Sequence, residues 1–148
     1  MILGYKTHYP KWMTKKGRQT FFPEKIGAGI KIHSIREDKH NRWKVGMSIQ
    51  HATGVRTKNY NKFKEDKCKF LQSIWISYHP HFPEKKIVSI NGRVLKQGHV
   101  AVLAKNDGFD CVEDFFEWFG IDGKHIYRGK IIHWTDLKYF RQWEFLDK

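Results

Sequence analysis

A mixed α+β domain, a small β-barrel with two or three short flanking helices, is the fold class this sequence predicts. Three observations point there. Phe70–Tyr78 alternates as a half-buried strand does, with Phe70, Gln72, Ile74, Ile76 and Tyr78 on one side and Leu71, Ser73, Trp75 and Ser77 on the other. Asn91-Gly92, between Ile87–Ile90 and Arg93–Leu95, is a hairpin signal, because both central residues of the tight turn need a left-handed backbone. Helical periodicity is confined to residues 100–119, and strands do not alternate with helices in the rhythm of a parallel βαβ sheet.

The remaining elements follow in chain order. Met1–Lys6 reads as an opening strand. Thr7–Thr20 is basic, carries Pro10 and Gly17, and reads as a loop or an insertion. Phe22-Pro23-Glu24-Lys25-Ile26 starts a helix, with proline where no amide hydrogen is needed, and Gly27 and Gly29 keep it short. A strand over Lys31–Arg36, a polar loop over Glu37–Arg42 and a turn at Trp43-Lys44-Val45-Gly46 lead into a strand over Met47–Ala52. Thr53–Lys67 is polar, basic and dotted with rings, and reads as an extended loop. Val100–Lys105 is a short helix ended by Asn106-Asp107-Gly108. Asp110 then caps a second helix, with Glu113 as its reciprocal partner. Val112, Phe115, Phe116 and Phe119 give that helix an apolar stripe for the core. Tyr127–Trp134 is a closing strand. The tail, Asp136–Lys148, carries Leu137, Phe140, Trp143 and Phe145 and fits a C-terminal helix lying on the barrel.

The chain has 148 residues, a length that suits one domain, and 16% aromatics, which supply rings for its core. Charge is unevenly spread. Residues 1–70 hold 17 Lys and Arg against 5 Asp and Glu, a net of +12 within a total of +13. Such a one-sided charge is a footprint for a polyanion and says nothing about fold. Cys68 and Cys111 are too few for a disulfide framework or a zinc knuckle; their apolar neighbours suggest buried free thiols in a reducing compartment, so the cytoplasm is expected. No signal segment and no membrane-length apolar run is expected to place it in or across a membrane. His79-Pro80-His81 is the one pair of alternate histidines, but without a neighbouring carboxylate or cysteine it predicts no metal. No phosphate loop or dinucleotide fingerprint is present, and no cofactor is expected.

Gly29-Ile30-Lys31-Ile32-His33-Ser34-Ile35-Arg36 is the most informative stretch. Alternation would send Lys31, His33 and Ile35 to one face and Ile32, Ser34 and Arg36 to the other, leaving both faces mixed. A lysine and a hydroxyl near a strand start, behind a glycine, suit an anionic or planar polar ligand; the alternative is an edge strand with solvated charges. The basic, ring-dotted run Gly54–Lys64, with Arg56, Lys58 and Tyr60, together with Arg36 and Arg42, suits a single-stranded backbone with stacked bases. The alternative there is a solvated loop whose rings pack inward.

Gly29–Arg36 followed by Trp43-Lys44-Val45-Gly46-Met47 resembles the ASCH domain, a relative of the PUA fold: a glycine, a lysine, a hydroxyl residue three positions on, a hydrophobic residue and an arginine. Leu103–Phe109 running into Val112–Phe116 is similar to the family's acidic turn and helix, and Ile131-Ile132-His133-Trp134 to its closing strand. The likeness spans roughly residues 20–136, leaving 137–148 as an extension. It implies a PUA-type barrel with a cleft, and RNA, single-stranded nucleic acid or a modified nucleoside as partner. One branch removes the acetyl group from N4-acetylcytidine with a lysine, a threonine and a glutamate. Those fall on Lys31, on Ser34, which keeps the hydroxyl, and on Asp107, one methylene shorter.

Three functions are therefore expected in order: a binding module for RNA or a modified nucleoside; an amidohydrolase using Lys31 as base, Ser34 as nucleophile and Asp107 as orienting carboxylate; and an adaptor with a vestigial pocket whose tail docks a protein. Strand alternation separates Lys31 from Ser34, so their convergence needs a bend or bulge near Ile32-His33.

Overall fold

The computed structural model describes residues 1–78, 86–120 and 126–140. Among these, the elements run β1 (Ile2–Tyr5), α1 (Phe22–Gly27), β2 (His33–Arg36), β3 (Ser48–Thr53), β4 (Asn61–Lys67), β5 (Phe70–Ser77), β6 (Ile87–Ile90), β7 (Arg93–Val94), α2 (Gln97–Asn106), α3 (Val112–Phe119) and β8 (Ile126–His133). The fold is mixed α+β with two sheets and three short helices. One sheet has the order β1-β3-β4, with β1 parallel to β3 and β4 antiparallel to it. The other has the order β2-β8-β5-β6-β7, antiparallel throughout.

The strand with the clearest alternation lies at the centre of the larger sheet. Gln72, Ile74 and Ile76 of β5 are buried, while Ser73 and Trp75 face out, with the Arg128 guanidinium 4.2 Å from the Trp75 ring. Asn91 and Gly92 take φ of 50° and 80°, the double left-handed geometry of the tightest hairpins, and join β6 to β7. Ile49, Ile74, Ile90, Leu103, Phe115, Ile131 and Ile132 are fully buried between sheets and helices. Phe22, Phe109 and Phe115 meet edge to face at 5.8 and 5.9 Å, extending this core under α3; such pairs add about 0.5–1.5 kcal/mol each beyond burial.

Several local expectations are corrected. Asp110 is not the cap of α3: Cys111 occupies that position without a side-chain cap bond, and the Asp110 carboxylate instead accepts from Lys25 (2.9 Å) and Lys15 (3.1 Å). Cys111 is exposed, whereas Cys68 is buried. The second half of 53–67 is strand β4, an edge strand in which Lys62, Glu65 and Lys67 are exposed and Phe63, Lys64 and Asp66 half-buried, so no apolar alternation marks its period. The 7–20 segment is pinned at both flanks: His8 bridges Gln19, Thr14 and Trp12 bond Glu117, and Tyr9 and Met13 are buried. Residues 136–140 are not helical, and 141–148 lie outside the described residues, as does His79-Pro80-His81. No helix among the described residues is long and apolar enough to cross a membrane.

Candidate functional site

Lys31 lies two residues before β2, not in it. The chain leaves α1 through Gly29 at φ 73°, the Ile30 and Lys31 amides both donate to the Lys25 carbonyl, and the Ile32 amide donates to the Asn106 carbonyl at 2.9 Å. The pleat begins only at His33, so Lys31 is free of its alternation. Ser34 and Arg36 share one face of β2, with the Arg36 Nε–H donating to Ser34 Oγ at 3.1 Å, and His33 and Ile35 share the other; all but Arg36 are buried. In place of the bend or bulge expected near Ile32-His33, the strand starts late: β2 begins two residues after the sequence pattern places it, and lysine and serine line one hollow.

Asp107 reaches the same place from the end of α2. Its neighbour Gly108 sits at φ 94°, and a Cβ there would lie 2.9 Å from Lys31 Cδ, so the lysine stem occupies the space a side chain would need. Lys31 Nζ donates to the Asp107 carbonyl and to Asp107 Oδ1 at 3.2 Å, and it lies 4.8 Å from the Phe22 ring centroid. Only 3 % of the residue is exposed. Burial lowers the amine's pKa to about 8; Asp107 opposes that shift and the nearby Arg36 charge adds to it.

Behind the ion pair runs a buried polar chain. His33 Nδ1 donates to Asp107 Oδ1 at 3.1 Å, and the Tyr139 hydroxyl bonds His33 Nε2 while accepting from Asn106 Nδ2 at 3.1 Å. Hydrogen-bond complementarity assigns the roles: a carboxylate only accepts, so His33 carries its proton on Nδ1 and Nε2 accepts from Tyr139. Burial lowers the His33 pKa and keeps the ring neutral. His33, Ser34 and Asp107 thus form no nucleophilic triad, because both ring nitrogens are committed away from Ser34. Asp107 Oδ2 makes no hydrogen bond among the described residues.

A second chain fixes the opposite wall. The Tyr5 hydroxyl donates to His51 Nδ1 at 2.7 Å, and His51 Nε2 donates to Asp66 Oδ2 at 2.9 Å. Burial again lowers the histidine pKa. The Arg36 guanidinium lies 5.3 Å from the Tyr5 ring and bonds the Gly4 carbonyl through Nη2 at 2.7 Å. Lys31, Ser34, Arg36 and Asp107 line one cavity of about 200 Å³, walled by Tyr5, Phe22 and Tyr127. Residues of both sheets contribute.

The other cations expected to bind a polyanion are distributed differently. Arg36 is a cavity wall. Arg42, Arg56 and Tyr60 line a neighbouring groove of about 530 Å³, and Gly4 lines both hollows. Lys58 is exposed and lines neither. Sequence reasoning missed Tyr139, Asn106, Tyr5 and His51 because their bonds span up to 106 positions; the His33-Ser34 pair set between Ile32 and Ile35 was the one local hint of buried polarity. Comparison with family models, with curated proteins and with solved structures gives no match.

Proposed function

We propose that this chain is an ASCH-type, PUA-like module, its two sheets forming the sides of one barrel, and that its cavity binds an unpaired nucleobase or modified nucleoside. One observation carries the reading: an ammonium, a guanidinium, a hydroxyl and a carboxylate from β2, its approach and the α2 terminus line a single small hollow with aromatic walls. Lys31 has three donors, of which the Asp107 carbonyl and Oδ1 take two; Arg36 spends two of its five. The residues that carry the remaining donors line the same hollow as Asp107, whose Oδ2 makes no hydrogen bond among the described residues. A heterocycle presenting a carbonyl beside an N–H satisfies both, and rings stack on its faces. The volume, below the about 300–1,000 Å³ of drug-sized sites, suits one ring system.

The test is calorimetry with cytidine, uridine and N4-acetylcytidine. Asp107→Asn and Lys31→Met are expected to weaken the best nucleoside by about tenfold or more, the cost of a lost charged hydrogen bond. Absence of binding by any nucleoside to the unaltered protein would remove the reading.

A second reading is amide hydrolysis of an N4-acylated cytidine, favoured by a buried amine of lowered pKa in the same hollow as a hydroxyl. Neutral Lys31 would accept the Ser34 proton, Oγ would add to the acyl carbonyl, and Lys31 would return the proton to the departing cytosine amine, leaving an acyl-serine for water to cleave. Ser34 Oγ is bonded to Arg36 and not to Lys31, which favours binding over turnover. Acetate release from N4-acetylcytidine, abolished by Ser34→Ala, distinguishes the two.

A further inference from the structure

The groove beside the cavity holds an unused set of groups. Arg42 and Arg56 line it with Tyr60, Val55 and Glu37, and neither guanidinium has an ion pair or hydrogen bond among the described residues. Both arginines are held out by built loops. The Arg42 and Trp43 amides donate to Asp38 at 2.8 and 3.1 Å, and Trp43 is buried. The Asp38 carboxylate also receives Lys130 at 2.9 Å, so its charge is already matched. Arg56 sits at φ 63°, a region side-chain-bearing residues rarely adopt, in a turn closed by Thr57 donating to the Gly54 carbonyl. At Gly54 a Cβ would lie 2.5 Å from the Asn59 carbonyl oxygen, so the turn admits only glycine there. The Tyr60 ring is 43 % exposed beside these cations. Glu37, the other acid in the groove, makes a loose ion pair with Lys39 at 3.9 Å.

We infer that this groove is the phosphate-binding half of a single-strand site: the strand's backbone lies on Arg42 and Arg56, a flanking base stacks on Tyr60, and one base turns into the cavity across Gly4. The inference rests on the base-binding reading of the cavity and specifies its ligand as an oligonucleotide instead of a free nucleoside. The two hollows meet at Gly4, the one residue common to both linings, and Arg36 of the cavity donates to its carbonyl. Guanidiniums beside an exposed ring suit phosphate and base together. An acidic peptide would use the cations but not the ring or the adjoining cavity.

The experiment measures anisotropy of a fluorescein-labelled pentaribonucleotide, UUCUU, and of the same strand with an abasic centre, at several salt concentrations. The Arg42→Gln, Arg56→Gln double variant keeps both side-chain stems on exposed loops. It is expected to weaken the pentamer about tenfold and to flatten the slope of log affinity against log salt by about 1.4, two phosphates' worth of released counterions. Cytidine binding to the cavity stays within about twofold, since neither arginine lines it. An unchanged slope overturns the inference, and so does equal displacement of the strand by pentaglutamate. The cavity reading fails separately: the abasic strand then binds as tightly as the intact one and Lys31→Met has no effect, while a flattened slope still supports the groove.

Discussion

Lys31 carries a pH signature with a definite sign. Its amine titrates near 8 in the folded chain, against 10.5 for an ordinary lysine. Below pH 8 both folded and unfolded chains hold the proton, and this group contributes no slope. Between about 8 and 10.5 the unfolded chain holds more protons than the folded one, so stability rises with pH through that window. Denaturant midpoints measured from pH 7.5 to 9.5 are expected to show this rise in the parent and not in Lys31→Met; parallel curves would place the amine in a solvated setting. Ligand affinity runs the other way, falling above pH 8 as a charged donor is lost. Gly108 is the companion residue: Gly108→Ala imposes a left-handed alanine and a Cβ against the lysine stem. A cost of about 1–3 kcal/mol in urea unfolding is expected, with weakened nucleoside binding. The carbonyl-side position of Gly108 after a helix is legible from the sequence. That a lysine 77 positions away fills its missing side chain is not, because nothing local records what packs there.

Among the elements, the stretch after β8 does more than trail from the sheet. The Tyr139 amide donates to Gln72 Oε1 at 3.0 Å, its carbonyl accepts from Gln72 Nε2 at 3.2 Å, and its hydroxyl joins His33 to Asn106. Tyr139→Phe strands a buried imidazole nitrogen and leaves the half-buried Asn106 amide without this acceptor, so a loss of about 1–3 kcal/mol is expected in urea unfolding. A loss under about 0.5 kcal/mol, the range of ordinary surface changes, would mean the hydroxyl is not holding them. The imidazole nitrogen shifts of His33 supply a second readout, because without the Tyr139 donor its proton is no longer confined to Nδ1. Deleting 137–148 removes the Gln72 clamp made by Tyr139 as well and is expected to destabilise the whole fold. Elements differ in how openly they announce themselves. β5 and the β6–β7 hairpin are legible because burial on one face and turn chemistry leave local marks. β4 is not, since an edge strand between solvent and one neighbour needs no apolar period. Cys111 replaced Asp110 as the α3 cap because Lys15 and Lys25 draw that carboxylate elsewhere.

For the whole molecule, a net charge of +13, nearly all of it in residues 1–70, implies self-repulsion that salt relieves. Melting temperature is expected to rise by a few degrees as sodium chloride is raised from low to moderate concentration. A flat or falling curve would mean that screened ion pairs such as Lys15–Asp114, at 2.7 Å, outweigh the repulsion. Salt therefore acts oppositely on fold and on strand binding, and the two measurements separate them. Composition and short-range pattern were enough to establish a mixed α+β chain, a basic first half, the central strand, the tight hairpin and the aromatic stripe of α3. Those features depend on residues within a few positions of one another. The convergence of Lys31 with Ser34, Asp107's arrival from α2, and the Tyr139–His33 and Tyr5–His51 chains were decided only by tertiary packing. They depend on where β2 starts and on contacts between distant segments, and side-chain geometry at such sites is set by neighbours that sequence order does not list.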